Sequence, residues 1–70
     1  MKLKVGMSDK EVIEIFGYPQ RTEAGTCGQG LGNPWTCITW YYGEYRPWLR
    51  FQQFSDGSLT LNSWELKSGW

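Results

Sequence analysis

Apolar residues recur at helical spacing near the start of the chain. Val12, Ile15 and Phe16 stand at positions i, i+3 and i+4, with Ile13 beside them. This spacing places an apolar stripe along one side of a helix. The pattern predicts a helix over Asp9–Phe16. Because two turns are too short to be stable alone, the stripe must pack against another element.

Both ends of this predicted helix carry sequence signals. Ser8 and Glu11 have the spacing of a capping box, in which each side chain accepts from the backbone N–H of the other residue. At the far end, Gly17 fits the left-handed position after the last turn, and Pro19 prevents continuation. The sequence therefore marks where the helix begins and where it stops.

Three later segments are rich in β-branched and aromatic residues that alternate with polar ones. The predicted strands are Trp35–Tyr42, Trp48–Phe54 and Leu59–Leu66, and Lys67–Trp70 forms a tail. Asp56 and Gly57 supply a hairpin turn before the last strand.

The polar, glycine-rich segment 20–34 has no clear pattern of its own. It holds either a weak first strand near Arg21–Thr26 or only a long connection. We therefore predict an α+β protein with a single domain over residues 1–70. A short N-terminal helix, alone or with a second one, packs on a three-stranded antiparallel meander sheet.

Alternation sorts the strand residues onto two faces. The predicted core face, on which Val12, Ile15 and Phe16 pack, collects Ile38, Trp40, Tyr42, Leu49, Phe51, Leu59 and Leu61. The other face mixes polar side chains with large rings. Its members include Thr39, Tyr41, Trp48, Arg50, Gln52, Phe54, Thr60, Asn62, Trp64 and Leu66.

The rings on the second face have two interpretations. Either they are surplus rings, half-exposed and packed on neighbouring Arg and Gln stems, or they form an apolar patch that binds a protein or a second copy of the chain. The candidate binding residues are Tyr41, Trp48, Phe54 and Trp64. A β-bulge near Gln52–Gln53 or near Asn62–Ser63 would return Phe54 or Trp64 to the core.

Charge and hydropathy exclude two classes of partner. Seven basic and seven acidic residues cancel, whereas nucleic-acid affinity depends on neutralising phosphates. No apolar stretch approaches the roughly 20 residues of a membrane span.

The segment Met1–Gly6 lacks the apolar region of a signal peptide. The expected compartment is the cytoplasm, or the periplasm and cell envelope if a signal peptide has been removed.

Cys27 and Cys37 are the only cysteines, and the chain has no histidine. Two thiols are too few for a structural zinc site unless other ligands complete it. They form either a disulfide, which would close a loop of about ten residues in an oxidising compartment, or two buried free thiols.

Catalysis has no recognisable machinery in this sequence. Nucleophilic catalysis usually needs a base such as histidine beside the nucleophile. Asp9 and Glu11 are explained by the helix start, and Asp56 by its turn. The glycine-rich run Gly25–Gly32 lacks the Lys-Ser/Thr of a phosphate-binding loop. We expect neither an enzyme nor a cofactor.

Three stretches resemble, in the same order, the BamE-like (SmpA/OmlA) domain family. The segment Val5–Pro19 is similar to the family's opening, in which a Gly-Met-Ser/Thr cap starts a helix that ends in Leu/Phe-Gly-x-Pro. Trp40 and Tyr42 match the W-x-Y of its first long strand. The segment LRFQQFSDGSL, residues 49–59, is similar to its closing strand and hairpin.

The resemblance implies one or two helices on a three-stranded antiparallel sheet and a role in binding, not catalysis. Family members are mostly bacterial envelope proteins, and several are accessory subunits of the machinery that inserts β-barrels into the outer membrane. Domain-swapped dimers occur among them. We therefore expect a protein-binding or assembly module. The alternatives are a homo-oligomeric structural protein, such as a homodimer, and a small-ligand or glycan-binding module that uses Trp35, Trp40 and Trp48.

Overall fold

A computed structural model describes residues 3–66 of the chain. Its elements are α1 (Asp9–Phe16), β1 (Arg21–Cys27), β2 (Trp35–Tyr41), β3 (Trp48–Gln53) and β4 (Leu59–Glu65), with a 3-10 turn at Gln29–Leu31. The predicted tail, Lys67–Trp70, lies outside the described residues. The helix has the predicted bounds, and the three predicted strands each end one residue earlier than expected.

The sheet has four antiparallel strands in the order β1-β2-β3-β4, so the prediction of a three-stranded sheet was wrong. The segment whose pattern was unclear pairs with β2 over its full length, from Arg21 opposite Tyr41 to Cys27 opposite Trp35. Its first six residues are exposed, so it joins the sheet through its backbone and not through apolar burial. The described part of the chain holds one α-helix, and residues 20–34 contain no second one.

The ends of α1 carry the contacts that the sequence indicated. The Ser8 hydroxyl accepts from the Glu11 N–H at 3.2 Å, and the Glu11 carboxylate accepts from the Ser8 N–H at 3.1 Å. Gly17 has a φ of 82°, a backbone conformation that favours glycine, and its N–H donates to the Ile13 carbonyl at 2.7 Å. Local sequence therefore fixes the length of the helix.

The core lies between α1 and one face of the sheet. Its buried members are Val12, Trp40, Leu49, Phe51 and Leu61. The Trp40 and Phe51 rings pack with their centroids 4.4 Å apart.

One predicted core residue of the helix is not in the core. Ile15 is 48% exposed, whereas Ile13 and Phe16 pack against the core beside Val12. The helix sequence offers two overlapping apolar stripes that differ by a small rotation about its axis. In the structure α1 contacts β4, and the stripe that contains Ile13 faces the core.

A β-bulge in β4 returns Trp64 to the core. Arg50 lies opposite Ser63, but the next residue, Phe51, lies opposite Leu61, so Asn62 is the extra residue. Trp64 consequently lies opposite Leu49 and packs against the core. This is the second of the two bulge positions that the sequence suggested.

A tyrosine links the end of α1 to the end of β2. The Tyr42 hydroxyl donates to the Gly17 carbonyl at 3.0 Å. Burial raises the pKa of Tyr42 to about 12, so the hydroxyl stays protonated and keeps donating through the neutral and mildly alkaline range.

No helix within residues 3–66 is long and apolar enough to cross a membrane.

The two edges of the sheet differ. Beside β4, the Gly6 N–H donates to the Leu61 carbonyl at 2.8 Å, and the Leu61 N–H donates to the Met7 carbonyl at 2.7 Å. Ser8 forms a further bridge with Thr60. The outer edge of β1 has no such partner within residues 3–66.

Candidate functional site

The sheet face opposite α1 is built from the alternate residues of each strand, and we call it the open face. No other described helix or strand covers it. Across the strands, Arg21 of β1 lies opposite Tyr41, which lies opposite Trp48. In the neighbouring row, Thr39 lies opposite Arg50. Strand pairing therefore brings together residues that are up to 29 positions apart in the chain.

Two arginines stack on two aromatic rings of this face. The guanidinium carbon of Arg21 lies 3.9 Å from the centroid of the Tyr41 ring. That of Arg50 lies 4.8 Å from the Trp48 ring. Each such cation–π contact contributes about 0.5–1 kcal/mol at an exposed position. We refer to Arg21, Tyr41, Trp48 and Arg50 as the arginine–aromatic cluster.

Hydrogen bonds hold Arg21 and Tyr41 in place. The Glu23 carboxylate accepts from Arg21 Nη1 at 2.8 Å and from the Tyr41 hydroxyl at 3.3 Å. Arg21 Nη2 also donates to the Glu44 carbonyl at 3.2 Å. Glu23 therefore couples an arginine to the ring on which it stacks.

Arg50 is held by a second set of contacts. Its Nε donates to the Thr39 hydroxyl at 3.3 Å, and Thr39 is only 7% exposed although it lies on the open face. The hydrogen bond to Thr39 and the stacking on Trp48 together give the Arg50 guanidinium a defined orientation. Its two terminal nitrogens provide donors in the planar arrangement that matches a carboxylate.

A shallow depression of about 350 Å³ adjoins the cluster. Its lining consists of Glu23, Ala24, Gly25, Thr26, Cys27, Cys37, Thr39, Tyr41 and Arg50. A Cβ atom at Gly25 would meet no heavy atom within 4 Å, so this glycine leaves open space above the sheet. The depression thus has a polar, charged side at Glu23 and Arg50.

Cys27 and Cys37 are joined by a disulfide, with their Cα atoms 5.9 Å apart. The bond links β1 diagonally to β2, since Cys27 lies opposite Trp35 and Cys37 lies opposite Gly25. It fastens the outer strand, which buries little apolar area, to the strand that carries Tyr41.

The structure brings together two of the four predicted binding residues. Tyr41 and Trp48 are direct neighbours on the open face. Phe54 is 44% exposed but stands six residues after Trp48, which is about 20 Å along a strand. Trp64 packs against the core on the other side of the sheet. The four residues therefore do not form one patch.

From the sequence, Arg50 was placed on the same face as Trp48 but was not counted among the candidate binding residues, and Arg21 was assigned to no face. Arg50 carried a usable signal, because residues two apart on a strand share a face and Trp48 precedes it by two. Arg21 carried none, since its position beside Tyr41 depends on a strand with no apolar pattern. Of the tryptophans suggested for glycan stacking, Trp40 is only 6% exposed and belongs to the core.

The described residues contain no group of three or more His, Cys, Asp or Glu side chains that could hold a metal ion. Comparison with known proteins gives no further guide. No family model matches the chain, and neither a curated protein nor a solved structure matches it. The resemblance to the BamE-like family stays a prediction.

Proposed function

We propose that this chain is a non-catalytic protein-binding module whose arginine–aromatic cluster contacts the partner. The observation that carries the proposal is the pairing of Tyr41 with Trp48, each under an arginine, on the open face. Tyr, Trp and Arg are the residue types that contribute most binding energy at protein interfaces. All four members of the cluster belong to these types.

The contacts within the cluster favour binding because they limit the freedom of its side chains in advance. Ordering a flexible side chain at an interface costs about 0.5–1.5 kcal/mol. Arg21 and Arg50 each hold both a ring and a hydrogen-bond partner before any partner protein arrives. The face therefore offers guanidinium groups and ring edges in fixed positions. Packing of the rings on neighbouring Arg side chains was one of the two interpretations of the sequence, and a purely apolar patch was the other.

The partner surface that fits this cluster carries carboxylates beside apolar or aromatic groups. Arg50 presents donors that suit a carboxylate, and Trp48 beside it offers apolar area. The resemblance to the BamE-like family supports the same class of role, and we propose that the chain acts as an accessory binding subunit in the cell envelope. An oxidising compartment of that kind would preserve the Cys27–Cys37 disulfide.

A glycan-binding role has weaker support. Sugars stack on exposed ring faces, but Trp40 is buried and an arginine lies over Trp48. The geometry therefore favours a protein partner.

Replacing Trp48 by alanine should weaken binding of the partner while leaving the protein folded. The immobilised oxidised protein would first recover partners from an envelope extract, and the affinity of each purified partner would then be measured. Loss of a central aromatic residue of an interface costs 2 kcal/mol or more, so we expect about a 30-fold weaker affinity. Trp48 is half-buried and lies outside the buried core, so the domain should remain folded.

The matched control is Tyr18→Ala, which removes an aromatic ring that is 81% exposed and does not belong to the cluster. This variant should bind like the wild type. Equal affinities of the Trp48 and Tyr18 variants for every recovered partner would remove the cluster from the binding surface.

A further inference from the structure

The outer edge of β1 is regular, and within residues 3–66 it is unpaired. All seven residues of β1 pair with β2 without a bulge, and no segment within residues 3–66 pairs with the other side. Proteins usually protect such an edge with lysine, proline, a bulge or a covering segment. The sequence of β1, RTEAGTC, contains neither lysine nor proline, and its two charged residues, Arg21 and Glu23, pair with each other. The edge is therefore open to a further strand.

The hydrogen bonds of the sheet show which residues direct their backbone outward. The Tyr42 N–H donates to Pro47 on the β3 side, whereas the Tyr41 carbonyl accepts from Gln20 on the β1 side. The N–H and C=O groups of successive residues point to alternate sides of a strand, so those of Thr39 and Cys37 also point towards β1. The residues opposite them in β1, Glu23 and Gly25, direct their N–H and C=O groups towards β2. The remaining residues, Thr22, Ala24 and Thr26, present their N–H and C=O groups at the free edge.

This set of outward residues is symmetric about Ala24. If a second β1 lies antiparallel with Ala24 opposite Ala24, Thr22 meets Thr26 of the partner subunit, and every outward N–H faces an outward C=O. The same register places Glu23 opposite Gly25 of the partner subunit, where there is open space. No two like charges are then directly opposite, because the charges of β1 lie only in its first half.

We propose that two copies of this chain pair through β1 about a two-fold axis, which joins their sheets into one of eight strands. The formal net charge of zero leaves no long-range repulsion between the copies. The Cys27–Cys37 disulfide fastens β1 to β2 before association, which lowers its ordering cost. A symmetric contact of this kind is self-complementary and closes at two copies.

The dimer should be weak and depend on concentration. One seven-residue strand per copy buries less than the roughly 1,600 Å² of a standard interface, and interfaces below the standard size are typical of weak, transient complexes. This contact uses the outward backbone groups of Thr22, Ala24 and Thr26, whereas partner binding uses the side chains of the open face. Dimerisation and partner binding can therefore be tested separately, and the failure of either leaves the other standing.

Sedimentation velocity over a concentration series tests this pairing. The wild type should shift from monomer towards dimer as its concentration rises to about 1 mM. Ala24→Lys should stay monomeric, because it places two ammonium groups opposite each other at the two-fold axis. Asn62→Lys makes the same change of charge at an exposed residue of β4, distant from this edge, and should dimerise like the wild type.

Hydrogen exchange of the wild type gives a second readout that needs no variant. The amide protons of Thr22, Ala24 and Thr26 should exchange more slowly as concentration rises, while those of Glu23 and Gly25, already bonded to β2, should not change. A wild type that stays monomeric at the highest concentration would overturn the proposal. So would a dimer that Ala24→Lys and Asn62→Lys weaken equally, or one that leaves exchange at Thr22, Ala24 and Thr26 unchanged.

Discussion

Replacing Phe51 by alanine should leave most of the protein unfolded at room temperature. Phe51 is fully buried, and its ring packs on Trp40 at the centre of the core. A buried Phe→Ala substitution costs about 3–5 kcal/mol through lost burial and the cavity that remains. A single core in a domain below about 70–80 residues rarely supplies more than that. Urea denaturation followed by circular dichroism measures the change.

Phe54→Ala is the matched control for this experiment. It removes the same ring from a position that is 44% exposed and lies just outside β3. We expect the free energy of unfolding to change by less than about 1 kcal/mol. Similar losses for the two variants would mean that Phe51 does not occupy the centre of the core.

Reducing the Cys27–Cys37 disulfide should lower the free energy of unfolding by about 2–3 kcal/mol, as the chain-entropy model gives for a loop of this length. The two cysteines are ten residues apart, and the bond joins the edge strand to β2. Because β1 is mostly exposed, it should separate first. The measurement compares urea unfolding of the wild type with and without a reducing agent.

The control for reduction is the double variant Cys27→Ala with Cys37→Ala. It should be as unstable as the reduced wild type and should not respond to the reducing agent. Hydrogen exchange should also show early loss of protection at Glu23 and Gly25, while the pairing of β2 with β3 persists. Unchanged stability on reduction would show that β1 stays paired without the bond.

The helix was predictable from the sequence because its determinants are local. The Ser8 and Glu11 cap, and the Gly17 end, all act within one turn of the residues they position. The three apolar strands were predictable as well, because their alternation reflects burial of one face. The rotation of the helix about its axis was not predictable, since Val12 can combine with either Ile13 or Ile15 in an apolar stripe.

From the sequence, the strand β1 was only one of two alternatives, a weak strand near Arg21–Thr26 or a long connection, and the structure has the strand. Its residues include Glu23, Ala24 and Gly25, which have low β-propensity, and nearly all of its side chains are exposed. Backbone pairing with β2 and the disulfide keep β1 in the sheet. Neither interaction produces a hydrophobic periodicity in the sequence. The arginine–aromatic cluster was difficult to predict for the same reason, because Arg21 contacts Tyr41 only when β1 pairs with β2 in the observed register.

The bulge in β4 shows a different limit. Sequence alternation indicated that Trp64 needed a bulge to reach the core, and Asn62–Ser63 was one of two positions considered. The register shift at Asn62 determines on which face of the sheet the side chain of every later residue of the strand lies. Alternation alone cannot locate such a shift, so it could not tell whether Trp64 or Phe54 would remain exposed.

Pairing of β1 with β2 underlies both the cluster and the proposed dimer, and NMR can observe it directly. In an antiparallel sheet, residues that face each other without mutual hydrogen bonds have Cα atoms about 4.5 Å apart, which brings their Hα protons close together. The account predicts strong Hα–Hα Overhauser effects between Ala24 and Ile38 and between Thr22 and Trp40. Their absence from the oxidised protein, with the β2–β3 signals intact, would contradict it.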